Sequence, residues 1–463
     1  MSPLTLSRVQ FGDTAAFHIL WPIMSIGLAL YMLVMELAWF YTKDEAYYRQ
    51  LRFWTKIFVL TFGIGTASGI PLEFEFGTNW AAFSNAAGDF FGNILGFEST
   101  VAFALEAAFL GIFVFGWRRV SPRVHLFANA MIALGATLSG FWIMVANSWM
   151  QVPVGIEVID GKIVVTDYMA AIFNPDSIVS FLHMEVACIE TTLFMIAGIS
   201  AWALLKNTQT SFSRSSFFLQ SFKYSLALAI LMTPLQIGLG DMSGAIVAQY
   251  QPAKLAAMEL HWDTNPPGTG AAWSIIAWPN SAKQDNSFEI AIPNALSLLT
   301  THSPTGAVAG ITSFAADDRP TTTESVITFY SFRLMVAIGF ALFALMLLGA
   351  WYWRQGKLEV DKIAQHKKFW RLWIWAIPLG FIATEAGWMV REIGRQPWVV
   401  YHLMRTQSGL SSNLSAGAVA TSTTLFTLMY LVFGALFLYF TYRIVQKGPD
   451  LESPLERYEP TQS

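Results

Sequence analysis

The stretch Gly387-Trp-Met-Val-Arg-Glu-Ile-Gly-Arg-Gln-Pro-Trp398 sets the class of this protein. It closes an apolar run from Trp373 to Val390 and then turns polar, with Arg391, Glu392 and Arg395 gathered where a membrane helix would meet water. Gly394 and Pro397 end that helix, because glycine costs backbone entropy and proline removes a donor. Trp388 and Glu392 are four residues apart and share a helix face. Ionisable side chains at membrane depth are expensive and point to function; the structural alternative is a solvated helix end with an interfacial tryptophan anchor.

Working outward, the same pattern recurs along the chain. Of its 463 residues, 54% are hydrophobic and 13% charged, too apolar for an ordinary soluble protein of this length. Apolar runs of about 20 residues match the hydrocarbon thickness of a bilayer. Nine spans are expected, roughly Phe17–Tyr41, Phe53–Phe74, Phe91–Trp117, Leu126–Trp149, Ile178–Leu205, Phe218–Leu239, Val326–Trp353, Phe369–Arg391 and Thr421–Ile444. The fold class is therefore an all-α polytopic bundle forming one membrane domain over residues 1–463. The segment Gly240–Ser325 is polar and rich in Pro, Gly, Thr and Asn, and has no run long enough to cross. It is expected as a surface loop with a short helix at Ala253–His261. Met1 to Phe11 has no basic region followed by a cleavage site, so no removable signal peptide is expected.

Charge excludes several functions and orients the rest. A net charge of -3 leaves no basic surface for nucleic acid. One cysteine, Cys188, excludes an intrachain disulfide framework and a four-cysteine iron–sulfur cluster. Lys and Arg concentrate in the first, third, fifth and seventh connections (Arg49 and Arg52, Arg118 and Arg119, Lys206 and Arg214, Lys367 and Lys368 among them). The positive-inside rule puts those in the cytoplasm, with the N-terminus and the long loop outside and the C-terminus inside.

That orientation collects the unusual residues near the outer face. His18 on the first span, Glu98 on the third, His183 on the fifth, Arg333 and Met335 on the seventh and Glu392 on the eighth all fall within about two turns of it. Two histidines, a methionine and a carboxylate are ligand types for haem iron. Singly, each has a structural explanation: a hydrogen-bonded core histidine, a gap-filling methionine, a carboxylate paired with arginine. Their shared depth on separate spans is harder to explain that way. Glu106 lies two turns deeper than Glu98 on the third span, and a buried carboxylate there can carry a proton; Ser139 could join a water chain. Glu190 and Glu385 are further intramembrane acids. Lys254 and Glu259 sit on the short loop helix and could meet a polar headgroup.

The chain resembles subunit I of the cytochrome bd-type quinol oxidases. The pieces that carry the resemblance are Glu73-Phe-Glu-Phe-Gly-Thr-Asn-Trp80, Val145-Ala-Asn-Ser-Trp-Met-Gln151, Lys254-Leu-Ala-Ala-Met-Glu259, Phe332-Arg-Leu-Met335 and Glu392-Ile-Gly-Arg-Gln-Pro-Trp398. It implies a haem-containing terminal oxidase that oxidises ubiquinol or menaquinol and reduces O2 to water in the bacterial cytoplasmic (inner) membrane. His183 and Met335 would ligate a low-spin haem b, with Arg333 beside it. His18 and Glu392 would ligate a high-spin haem b and either haem d or a further haem b, with Trp388 and Arg395 around them. Glu98 would sit at the oxygen-reducing haem, with Glu106 on its proton path. Lys254 and Glu259 would bind quinol in the loop 240–325, the family's Q-loop, whose short form here resembles the cyanide-insensitive branch. A second large membrane subunit and a small single-span one are the implied protein partners. Two rivals fit less well. A haem-free transporter would show matched halves with broken spans; a haem–copper oxidase needs about six intramembrane histidines, and only His18 and His183 lie within spans.

Overall fold

The computed structural model describes residues 1–207 and 211–453. Among these, nine helices are long and apolar enough to cross a membrane: Pro3–Thr42, Glu45–Thr78, Phe91–Phe115, Pro122–Gln151, Tyr168–Lys206, Phe212–Tyr250, Thr322–Arg354, Val360–Ile393 and Ala416–Lys447. The expected count and order of spans hold. The helices begin where short polar side chains can accept from free backbone donors: Ser2 from Thr5, Asp44 from Ala46, Ser121 from Val124, and a reciprocal Thr321/Glu324 capping box on the seventh.

The fifth span is the hub, with 83% of its most apolar stretch buried against 11% for the ninth. It packs on the sixth through its whole length and on the first and eighth. Aromatic side chains fill this centre. Phe194 stacks on Trp373 at 5.3 Å, and Phe222 meets the edges of Trp370 and Trp373. Rigid, flat side chains bury large areas with little loss of rotamer freedom, which suits a core that has no water to exclude.

One span starts earlier than expected, and two depart from uniform helix. The first helix starts at Pro3, so His18 lies about four turns inside it rather than at its start. The third contains a π-helical segment, Glu98–Phe103. The eighth is two helices, Lys367–Trp375 and Leu379–Ile393, because Pro378 has no N–H to continue the ladder.

The long loop holds more structure than expected. The sixth helix runs on to Tyr250, and the loop helix is Pro252–Glu259. An unforeseen antiparallel hairpin pairs Trp273–Asn280 with Asp285–Ile292. A smaller hairpin, Ile156–Ile159 with Lys162–Val165, turns at Asp160-Gly161, both with positive φ.

Candidate functional site

Glu392 stands in the last turn of the eighth span. Gly394 follows the helix end, and the chain then crosses under the loop. One carboxylate oxygen accepts from Asn147 Nδ2 at 2.8 Å and from Gln151 Nε2 at 3.4 Å; the other accepts from Arg395 Nη2. Asn147 and Gln151 are one turn apart at the end of the fourth span, so they present amides on one face. Arg391 binds Asp176 at 2.6 Å and Ser180 at 2.8 Å, and its Nε donates to Asn147 Oδ1. Arg395 is only 3% exposed, and its Nε and Nη1 have no protein partner among the described residues. The Glu392 side chain is 37% accessible despite this company. Trp388, one turn earlier, is half-buried.

The loop helix docks on this cluster and is not free at a headgroup surface. Lys254 is buried, and its ammonium donates to Gln151 Oε1 at 2.7 Å. Gln251 Nε2 donates to the backbone oxygen of the same Gln151 at 2.8 Å. Gln151 thus touches the loop helix on one side and Glu392 on the other. Burial pushes the Lys254 amine well below the usual lysine range, and the Arg391 and Arg395 guanidinium groups add to that.

Glu259, at the other end of the loop helix, is bound by Arg333: Nη2 at 2.5 Å and Nη1 at 3.4 Å. Arg333 also donates from Nε to Ser274 of the hairpin at 2.7 Å and lies over the rings of Phe329 and Trp273. So the residue expected beside a haem and a residue expected at quinol form one buried ion pair. Burial raises the Glu259 carboxyl above its ordinary value in spite of the arginine.

The remaining candidate ligands share one feature. The ring of His183 makes no hydrogen bond among the described residues, and its buried Nδ1 has no partner there. It faces Gly240 on the sixth span, where a Cβ would come within 3.4 Å of the ring. Met335 faces Gly387 on the eighth span, where a Cβ would sit 3.0 Å from sulfur. His18 faces Gly69 and hydrogen-bonds Ser68 through Nδ1 at 3.0 Å. A helix without a Cβ opposite an imidazole or thioether lets that side chain pack close against its backbone. An unpartnered buried ring nitrogen is a polar group whose partner is not supplied by the chain. These donors fit haem ligation. Among the described residues, no three His, Cys, Asp or Glu side chains converge as a group that could hold a metal ion.

Glu98 accepts from Ser139 at 2.5 Å, joining two of the expected proton-handling residues. Glu106 is buried against Gly135 on the fourth span, with one oxygen unpartnered. The π-helical turn between Glu98 and Glu106 changes their angular relation from that of a regular helix. Glu190 and Glu385 also each keep an unpartnered oxygen. His125 is structural: it lies with Asn129 on Glu36 in a fully buried triad. Sequence reasoning misses Asn147, Gln151, Asp176, Gly240 and Gly387. The i, i+4 amide pair inside the Val145–Gln151 block is the available signal for the first two.

Comparison with known proteins identifies the family. The family model described as cytochrome bd terminal oxidase subunit I matches residues 6–449. The cytochrome bd ubiquinol oxidase subunit 1 of Bacillus subtilis is 37% identical, over 97% of this chain and 95% of its own. The cytochrome bd-II ubiquinol oxidase subunit 1 of Escherichia coli is 32% identical, over 99% of each. The solved bd oxidase of Geobacillus thermodenitrificans superposes with a TM-score of 0.86 at 30% identity, covering 96% of this chain and 99% of that one. With the match running through all nine spans and the loop between the sixth and seventh, the chain belongs to the cytochrome bd terminal oxidase subunit I family.

Proposed function

We propose that this multi-pass subunit oxidises ubiquinol or menaquinol at the outer face of the bacterial cytoplasmic membrane, and that protons for water come from the cytoplasm. The reaction is then electrogenic without a separate pump. In this reading the N-terminus and the loop 240–325 are outside and the C-terminus inside, as the Lys and Arg asymmetry favours. The observation that carries the proposal is the unpartnered His183 ring opposite Gly240, together with Met335 opposite Gly387.

His183 and Met335 hold the low-spin haem b; His18 and Glu392 hold a high-spin haem b and a haem d or further haem b. The haems, when bound, supply electron transfer and oxygen reduction. The chain's own residues do the rest. Asn147, Gln151 and Arg395 fix the Glu392 carboxylate in place, while Arg391 is held in turn by Asp176. Lys254 and Glu259 serve quinol oxidation from the two ends of one helix, each through its buried partner Gln151 or Arg333, and a single rigid element sets their separation. Quinol protons leave outward past Glu259. Glu106 passes inner protons toward Glu98, which Ser139 orients by its hydrogen bond. A second large membrane subunit completes the enzyme, and a small single-span subunit joins it.

Pyridine haemochrome analysis with a reduced-minus-oxidised spectrum tests this directly. Three haems with at least two of type b are expected. A preparation of the assembled oxidase with no Soret change, or with a single haem, sinks it.

A further inference from the structure

The loop hairpin has two unlike faces. On its inner face, Ala277 is buried with Leu260 and Phe329, Tyr330 Oη donates to the Ala277 carbonyl at 2.9 Å, and Arg333 donates to Ser274. On its outer face, Trp278 pairs across the strands with Phe288, and Ile276 with Ile290. Direct cross-strand partners lie on the same side of a sheet, and Ile292 continues that side. Trp278 is 60% exposed and Phe288 55%, with the three isoleucines close behind. A contiguous apolar face of this kind marks a contact surface rather than a water-facing loop.

Two observations identify what covers it. First, the seventh span, the most apolar of the nine and the helix to which the hairpin is tied through Tyr330 and Arg333, carries an exposed stripe, Tyr330, Leu334, Ala337 and Ala341, at helical spacing. Second, the depth is right. The seventh helix has 33 residues, about 50 Å, against about 30 Å of hydrocarbon. Its C-terminal end carries Trp351, Trp353 and Arg354, with Lys357 just beyond it, residue types that sit at an interface. Counting back from Trp353, about 20 residues of rise reach Arg333, where the hairpin is tied on. The opposite hydrocarbon boundary therefore falls at the hairpin. Its turn, with Lys283, Gln284 and Asp285, is polar and exposed.

We propose that the outer face of this hairpin lies in the lipid of the bilayer interface, with Trp278 and Phe288 at the headgroup–acyl boundary, and so fixes the loop to the membrane surface. The inner face carries that reference to Arg333, and through it to Glu259. The placement does not depend on which side chains meet quinol.

Cys188 is the one cysteine of the chain and is buried, so spin labels can be placed singly at Trp278→Cys, Phe288→Cys and, as a polar control, Lys283→Cys. The assembled oxidase is reconstituted in phosphatidylcholine nanodiscs, with the unsubstituted enzyme's signal subtracted. Collisions with oxygen are expected to exceed those with a nickel chelate several-fold at positions 278 and 288, and to fall below them at 283. Dominant nickel collisions at 278 and 288 would put the face in water and overturn the proposal. Exclusion of both reagents would put it under a protein partner and overturn it equally. A lipid with a diazirine on its acyl chain probes the same placement without substitution: the peptide spanning 273–292 acquires adducts in the unaltered oxidase, and its absence from the labelled set refutes the placement.

Discussion

Glu392 and His183 are offered as ligands to the same kind of group, yet their surroundings are built in opposite ways. Around Glu392 the carboxylate is matched oxygen by oxygen with Asn147, Gln151 and Arg395, and Arg391 is matched again with Asp176. Around His183 nothing is matched among the described residues: the ring has no hydrogen-bond partner, and its neighbour on the sixth span is Gly240. The difference follows from charge. A carboxylate at membrane depth must be compensated by the protein whether or not a cofactor is present, whereas a neutral imidazole can wait for one. In the proposed reading Glu392 is thus part of the fold as well as the site, and His183 belongs to the site alone.

Replacing each separates the two cases most widely. His183→Ala is expected to abolish the low-spin haem band and to lower quinol oxidation by more than the ~10–100-fold typical of outer-shell changes at metal sites, while the helix bundle still assembles. Glu392→Ala also loses a haem, but in addition strands the buried Arg395. Removing one partner of a buried pair costs about 3–5 kcal/mol, here toward the lower figure because the Glu392 side chain is 37% accessible. Thermal unfolding of the two variants, each compared at equal haem content, checks this. Equal midpoints would mean that Arg395 finds another partner and that the contrast is false.

Glu106 extends the comparison deeper along the third span, where a carboxylate oxygen is left unmatched. Glu106→Gln keeps shape and removes the proton-carrying function, so turnover is expected to fall by ~10²–10⁴-fold, the usual contribution of a positioned acid–base group. Membrane-potential generation in proteoliposomes should fall with it. Unchanged turnover and potential would remove Glu106 from the proton path.

The spans are legible in the sequence because about 20 apolar residues between charged ends have few alternatives in a chain of this composition. The π-helical turn at Glu98–Phe103 leaves no such trace, since apolar residues on both sides hide a one-residue change of phase. The Trp273–Ile292 hairpin is hidden differently: a loop rich in Pro, Gly and Asn reads as irregular, and the alternation in its two short strands is interrupted by bulges. Within the proposed site, Glu392, His183 and Met335 stand out as candidate ligand types at one expected depth. Asn147 and Gln151 do not, because an amide shows its value only when its partner is known. Nor can sequence show that Lys254 turns inward; a loop helix with scattered charge ordinarily faces water.

The glycines sharpen the comparison on a finer scale. Gly387→Ala puts a methyl 3.0 Å from the Met335 sulfur, tighter than packed side chains tolerate, so the thioether must move. Gly240→Ala meets the His183 ring at 3.4 Å, close to ordinary contact. The expected result is a shifted and weakened low-spin band in Gly387→Ala and a near-normal one in Gly240→Ala. The reverse order in the reduced spectrum would show that the space opposite Met335 is not what holds it.

The smallest effects belong to pH, and they test whether the loop helix joins the two neighbourhoods. Glu259 keeps its proton to a higher pH than an exposed carboxylate, because burial outweighs Arg333. As pH falls through that raised value, Glu259 becomes neutral, the Arg333 pair loses its Coulombic part, and the KM for quinol should rise. Lys254 releases its proton at a lower pH than an exposed lysine. As pH rises through that lowered value, its hydrogen bond to Gln151 Oε1 loses charge assistance, and KM should rise again. Glu259→Gln should flatten only the acid limb and Lys254→Met only the alkaline one. Gln151→Ala removes the acceptor and should weaken the alkaline limb while disturbing the Glu392 haem spectrum, a change that a purely local role for Lys254 would not produce. An alkaline limb unaffected by both Lys254→Met and Gln151→Ala would cut the loop helix out of quinol oxidation, leaving Glu259 and Arg333 to account for it.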